Sequence, residues 1–169
     1  MSAEMPDLGR SFRNVMRSVA ASVVVVAARN GDLRHGMTAT AFTSVSFDPL
    51  SVLVCINNRG LLHTAVETSG SFSVNLLRGD HIEVSQAFSS PMPSEQRFAA
   101  GCWSEHHGLP FLVDAQASLF CRTRQSMACG THTIFIGDVE DARCRDDASP
   151  LLYMNGEYGR YSSIASLAG

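Results

Sequence analysis

Residues 36–49 read Gly36-Met37-Thr38-Ala39-Thr40-Ala41-Phe42-Thr43-Ser44-Val45-Ser46-Phe47-Asp48-Pro49. Small and hydroxylated side chains dominate the run, and Asp48 is its one charge. Such side chains fill a core poorly. They leave backbone amides open to a ligand, and Thr38, Thr40, Thr43, Ser44 and Ser46 add hydroxyl donors. A flat ligand with a phosphate needs that kind of wall, with N–H groups for the anion and small residues for close approach. The run also fits a strand of small residues packed beneath a helix.

On its N-terminal side, Arg29-Asn30-Gly31-Asp32 has the chemistry of a tight hairpin turn, so a strand returns from it into the run. Ser22 to Ala28 is β-branched and nearly all apolar, which predicts a strand buried on both faces. Earlier, Leu8, Phe12, Val15, Met16 and Val19 recur at helical spacing, with Arg10, Arg13 and Arg17 on the other face. That pattern predicts an amphipathic helix lying on something apolar. On the C-terminal side, Asp48-Pro49 ends the run and Ser51 to Ile56 is another buried strand. Asn57-Asn58-Arg59-Gly60 is a loop. Leu61 to Thr68 reads as a short helix with Leu62, Ala65 and Val66 inward, stopped by Gly70.

Phe72 to Leu77 is a strand, and Asp80 with Glu83 has capping-box spacing for a helix carrying Ile82, Val84 and Phe88. Glu95 to Pro110 reads as polar and irregular. Ala115 to Arg124 and Thr131 to Arg143 form a long hairpin pair, and Leu151 to Met154 a last strand before the Asn155-Gly156 turn. Many strands with few, short helices predict a mainly β protein: an antiparallel barrel with helical additions. The 169 residues fit one domain, 1–169.

Charged residues are 17% and hydrophobic residues 45%, the balance of a compact globular chain. A net charge of −3 argues against a general nucleic-acid binder. The five cysteines are odd in number and scattered, without a C-x-x-C, which fits reduced thiols and a cytoplasmic protein. Met1 to Asp7 has no basic region followed by an apolar run, so no signal peptide is expected. The longest strongly apolar run, Val23 to Ala28, is too short to span a bilayer, so no membrane partner is expected either.

Several common sites are absent. There is no G-x-G-x-x-G and no G-x-S-x-G, and Met37 stands where a P-loop beginning at Gly31 would need its lysine. His106-His107 and His81 with Glu83 bring metal to mind. Adjacent histidines on a strand point opposite ways, however, and no H-x-x-x-H accompanies them, so no metal is expected.

Arg59 sits in a loop just after a buried strand, where an arginine can grip a phosphate with two hydrogen bonds; a solvated arginine is the alternative. Ser85 and Arg97 flank the second helix and its loop and read alone as capping or surface residues. His132 opens a strand in Gly130-Thr131-His132-Thr133-Ile134-Phe135-Ile136-Gly137-Asp138-Val139. It is either a barrel-rim residue or a titratable ring placed to touch a ligand.

Taken together, the pieces resemble the flavin reductase-like proteins, the short reductase components of two-component flavin monooxygenases. The resemblance runs from Phe12 to about Tyr161. It is carried by Phe12-Arg13-Asn14-Val15-Met16, the run 36–49, Cys55-Ile56-Asn57, Gly70 to Leu77, Ser85 to Phe88, Gly130 to Val139, and Pro150 to Tyr158. Each motif is modest; their order and spacing are specific.

The resemblance implies an FMN-binding split β-barrel of Greek-key-like antiparallel strands, working as a homodimer with FMN or FAD. It implies hydride transfer from NADH, with NADPH possible, to a flavin. The reduced flavin then diffuses to a partner monooxygenase. By the same resemblance Met37, Thr38, Ala39, Thr40, Ala41, Thr43 and Ser44 would line the flavin and its phosphate. Cys55, Ile56, Asn57, Asn58 and Arg59 would form a second wall, and Phe88, Ser89 and Arg97 would hold the flavin's far end. His132 and the tail Tyr153, Met154, Asn155 and Gly156 would meet the nicotinamide, with His132 positioning rather than donating a proton. A flavin kept as a fixed prosthetic group, or a non-catalytic flavin-binding protein, are the alternatives. Two departures from the family pattern stand out. Thr131 replaces an aspartate before His132, and Gly60-Leu61-Leu62 stands where the family has Ser or Thr. Phosphate binding therefore leans on Arg59 and on the run 36–49.

Overall fold

The computed structural model describes residues 7–164. Helix α1 (Leu8–Arg17) leads into a short β1 (Ala21–Ser22) and the hairpin β2 (Val24–Asn30) and β3 (Leu33–Ala39). Then come β4 (Phe42–Phe47), β5 (Leu50–Asn57), α2 (Leu61–Ser69) and β6 (Ser71–Leu76). Helices α3 (Ile82–Ser89) and α4 (Ser94–Arg97) precede the small hairpin β7 (Trp103–His106) and β8 (Leu109–Leu112). The long β9 (Ala117–Cys129) and β10 (His132–Cys144) follow, then β11 (Leu151–Met154) and β12 (Glu157–Arg160).

Seven strands form one antiparallel sheet in the order β3-β2-β6-β9-β10-β5-β4. Its two edges, β3 and β4, are separated in sequence by Thr40 and Ala41 alone. So short a link reaches only about 3.3–3.6 Å per residue, so the sheet must curl until its edges meet. The result is the expected mainly β barrel, split along the β3–β4 seam. Across the seam the Phe42 N–H donates to the Thr40 carbonyl (3.0 Å) and the Cys55 N–H to the Ala41 carbonyl (3.2 Å).

Strand β2 explains the apolar run before the seam. Val24, Val26 and Ala28 face the barrel interior with Val54, Ile56, Phe72 and Phe135, and α2 closes that interior with Leu62, Ala65 and Val66. Val23, Val25 and Ala27 face outward and are covered by Leu77, Val84, Phe88, Phe98 and Leu112. The strand is thus buried on both faces, as its composition requires.

Four expectations need correction. The apolar stripe of α1 does not lie on this barrel: Leu8 is 81%, Phe12 64% and Val15 61% exposed. Asp80 does not cap α3. His81 holds the N-cap position with no side-chain bond to the helix, and the Asp80 carboxylate lies 3.6 Å from Arg78 instead. Residues 95–110 are not irregular, because α4 and the β7–β8 hairpin occupy them. The adjacent histidines do not diverge. His107 sits in the β7–β8 turn at φ 51°, which turns its ring to within 4.0 Å of the His106 ring.

Candidate functional site

Thr40, at the seam, borders three clefts. One of about 230 Å³ runs between Thr38, Ala39, Ser85, Ser89, Tyr153 and Tyr158. A second, about 360 Å³, lies between α1 and the β11–β12 turn, lined by Arg13, Arg17, Ala41 and Tyr153 to Gly156. The third, about 740 Å³, is apolar and includes Val19, Phe42, Thr43, Ser44, Phe47 and Leu50. Thr38, Ala39, Thr40, Ala41, Thr43, Ser44, Ser89 and the tail Tyr153 to Gly156 therefore gather around one seam, although more than a hundred residues separate the run from the tail in sequence.

The walls are built from specific bonds. The Thr38 hydroxyl donates to the Ser85 carbonyl (2.7 Å), tying β3 to α3. The Ser85 Oγ lies 2.9 Å from the Tyr158 hydroxyl, tying α3 to β12. Ser85 and Tyr158 thus hold two walls of the smaller cleft together; nothing in Ser85's sequence context showed this. At the cleft beside the β11–β12 turn the Arg17 guanidinium donates to the Asn155 carbonyl (2.9 Å), and the Asn155 N–H to the Arg17 carbonyl (2.7 Å). Asn155 (φ 55°) and Gly156 (φ 91°) make the left-handed turn that their types favour. A Cβ on Gly156 would sit 2.9 Å from Arg17 Nη2, so glycine permits this close approach.

Other expected site residues form the backing. Met37 is half-buried against the barrel interior, and Ile56 and Phe88 are sealed in the core. Phe88 packs edge-on to Phe98 (4.9 Å between ring centres) and against Trp103 (5.0 Å), so it supports the β3 wall from behind. The Arg97 guanidinium donates to the Gly36 carbonyl (2.9 Å) and the Met92 carbonyl (3.0 Å), which pins α4 to β3. Next to it, burial holds the His35 imidazole below its ordinary pKa, opposed by Glu95 and reinforced by Arg97. The Arg34 hydrogen bonds hold Glu95 below the usual carboxylate range.

Asn57, Asn58, Arg59 and His132 make a second group at the far end of β5 and β10, where His132 pairs with Asn57. The Asn57 Oδ1 accepts from the Arg59 N–H (2.9 Å), and the Asn58 N–H donates to the Thr131 carbonyl (3.0 Å). The Thr133 hydroxyl donates to Asn58 Oδ1 (2.9 Å) and lies 2.9 Å from His63 Nε2. The 57–60 loop is thereby fixed to the β9–β10 hairpin, with the Arg59 side chain exposed. The Thr131 Oγ1 lies 2.9 Å from His132 Nδ1, a neutral hydrogen-bonding partner where an aspartate would bring a charge. Cys55 joins the two groups through its N–H bond to Ala41; burial pushes its thiol up, with Cys129 adding to the shift.

His106, His107 and Asp141 approach one another as metal ligands do. Arg143 Nη2 lies 3.0 Å from His106 Nδ1, which as an arginine donor makes Nδ1 the acceptor. His106 Nε2 then carries the proton and donates to Asp141 Oδ2 (2.6 Å). The cluster is a satisfied network fastening the β7–β8 turn to β10.

The residues thus build a split antiparallel barrel with a small-residue seam open to clefts. Residues 16–162 match the family model of the flavin reductase like domain, and the chain belongs to that family. It is 46% identical over 154 residues to the reductase component of the FADH(2)-dependent resorcinol hydroxylase of Rhizobium sp., covering 89% of this chain and 86% of that one. It is 36% identical to an FMN reductase (NADH), RutF, of Agrobacterium fabrum, covering 87% and 85%. Among solved structures, flavin reductase PheA2 superposes with a TM-score of 0.83 at 34% identity, covering 94% of this chain and all of that one.

Proposed function

We propose that this chain is an NADH-dependent reductase of FMN or FAD that supplies reduced flavin to a separate monooxygenase. The observation that carries this is the seam itself. Thr38 to Ala41 joins the two edges of the barrel with side chains no larger than threonine, and clefts open on both sides of it. The larger of the clefts at the tail, about 360 Å³, falls within the roughly 300–1,000 Å³ of small-molecule sites. The hydroxyl and amide groups of the run and the exposed Arg59 fit a flavin and its phosphate. The relatives named as flavin reductase components support the same reading.

A bound flavin supplies the hydride acceptor and NADH the donor. The chain's own part is to bind and orient them. Thr38, fixed through Ser85, and Ala39 to Ala41 offer a flat wall against which a ring system can lie. Arg59, fixed by Asn57, offers a charge-assisted partner for a phosphate. Tyr153, with Tyr158 behind it, covers the shared edge of the two tail clefts, their rings 5.3 Å apart. His132, held at Nδ1 by Thr131, presents its other edge to a nicotinamide without needing to move a proton.

Two further parts belong to this reading. A homodimer covers the exposed apolar face of α1 and the apolar cleft at Phe42, Phe47 and Leu50, since monomers rarely leave such patches open. The cytoplasm is the expected location, in keeping with five unpaired cysteines. Among the described residues no helix is long and apolar enough to cross a membrane. The test is NADH absorbance with and without added FMN, FAD or riboflavin. Loss of NADH only when flavin is present supports the proposal, and no flavin-dependent loss with any of the three overturns it.

A further inference from the structure

The cleft between α1 and the β11–β12 turn contains two cations that the helix pattern alone assigns to solvent. Arg13 and Arg17 are four residues apart, so they share one face of α1. That face borders the cleft. Among the described residues no aspartate or glutamate lines this cleft, whereas Met16, Val19, Tyr153 and Met154 give it an apolar floor. Arg17 is already committed to the Asn155 carbonyl and fixes the turn. Among the described residues the Arg13 guanidinium has no hydrogen-bond or ion-pair partner, although it stands at the mouth of a concave site. Arg97, the other cation expected to hold a ligand, is tied through Nε and Nη1 to the Met92 and Gly36 carbonyls and lines none of the three seam clefts.

We infer that Arg13, with Arg17 behind it, binds the pyrophosphate of the nicotinamide dinucleotide. This rests on the reading of the chain as an NADH-dependent flavin reductase, and it adds a binding residue and an entry side for the donor. Two cations then serve two phosphates. Arg59 lies with Asn57 and His132 at the far end of β5 and β10 and is left to the flavin phosphate. Arg13 lines the cleft beside the tail turn. An anion there meets a fork of donors and a nearby second positive charge, while the rings lie along the apolar floor.

The clean variant is Arg13→Gln, because Arg13 is exposed and unpartnered and its loss leaves the turn intact. Wild-type flavin-dependent NADH oxidation is established first; its absence would defeat the underlying reading and not this inference. The variant is then compared by KM for NADH, by KM for a phosphate-free donor such as N-benzyl-dihydronicotinamide, and by calorimetric affinity for NAD+. Loss of a charge-assisted contact weakens binding by about tenfold or more. The expected result is that rise in the NADH KM and in the NAD+ dissociation constant. The kcat and the KM for the benzyl donor stay within about twofold, and Arg13→Lys recovers part of the loss. Unchanged NADH KM and NAD+ affinity would overturn the inference. Weakened FMN binding with unchanged NAD+ and riboflavin binding would overturn it too, assigning Arg13 to the flavin phosphate.

Discussion

Gly36 begins the small-residue run, and its lack of a side chain is what lets β3 lie flat on α3. A Cβ built there would stand 2.6 Å from Phe88 Cε1, 2.9 Å from Cδ1 and 3.3 Å from the Val26 carbonyl. Phe88 has nowhere to go. It is 1% exposed, and Phe88, Phe98 and Trp103 form a triangle of rings with centres 4.9–5.0 Å apart. Gly36→Ala therefore overpacks the core, which costs about 1–3 kcal/mol, or roughly 2–12 °C in Tm for a chain of this size. The interlocked rings place the expected value in the upper half of that range. Thr38 lies two residues on, on the same face of β3, so flavin affinity falls with stability. The assay is thermal unfolding of Gly36→Ala, Phe88→Leu and the double variant. Shortening Phe88 relieves the clash, so the double variant should be more stable than the sum of the single effects by at least about 0.5 kcal/mol. A Tm for Gly36→Ala within about 1 °C of the parent, or strictly additive effects, would refute the reasoning.

His132→Ala should raise the KM for NADH and leave flavin affinity nearly unchanged, and Thr131→Val, which frees Nδ1, should give a smaller change in the same direction; collapse of flavin binding would place His132 in the flavin wall instead. Arg59→Ala should weaken FMN and FAD by about 1.5–3 kcal/mol and riboflavin much less, measured by flavin fluorescence, and equal losses would make Arg59 structural. Lowering the pH should loosen the α4–β3 contact. His35 and Glu95 both have folded-state pKa values below their ordinary ones, so each stabilises the fold above its unfolded value, and that stabilisation is lost as pH falls through the folded value. The Tm should therefore drop from pH 7 toward pH 5, less steeply in His35→Asn than in the parent; identical slopes would remove His35 from the account.

The barrel was legible because its signals are local. The apolar run at β2, the Arg29–Asp32 turn and the Asn155-Gly156 turn each fix a strand or its end by side-chain type. Members of the site could be named from the order of the motifs, yet their arrangement could not. That Tyr153 lies across a cleft from Thr40 depends on a closure that only the β3–β4 link enforces. The helix pattern puts Arg13 and Arg17 on the polar side of α1 and hides their cleft, because amphipathicity divides a helix into apolar and polar sides without saying what meets either. The same limit hid the fate of the apolar side of α1, which this barrel leaves exposed. His107 escaped the strand rule because a hairpin turn with positive φ reverses the side chain's direction. Ser85 and Tyr158 meet across 73 residues, a pairing no spacing rule contains.

The central claim is that flavin is a substrate passing through the seam and not a fixture in it. The sequence has no P-loop or Rossmann turn to grip a pyrophosphate at a helix N-terminus, and Leu61 and Leu62 open α2 beside Arg59 without a hydroxyl. The direct measurement is an anaerobic count of flavin reduced per protein molecule, after exhaustive dialysis, with NADH and flavin both in large excess. The account predicts a nearly colourless dialysed protein that reduces many equivalents of added flavin, at a rate that saturates with flavin concentration. A protein that stays stoichiometrically yellow and stops after one equivalent per subunit would contradict it.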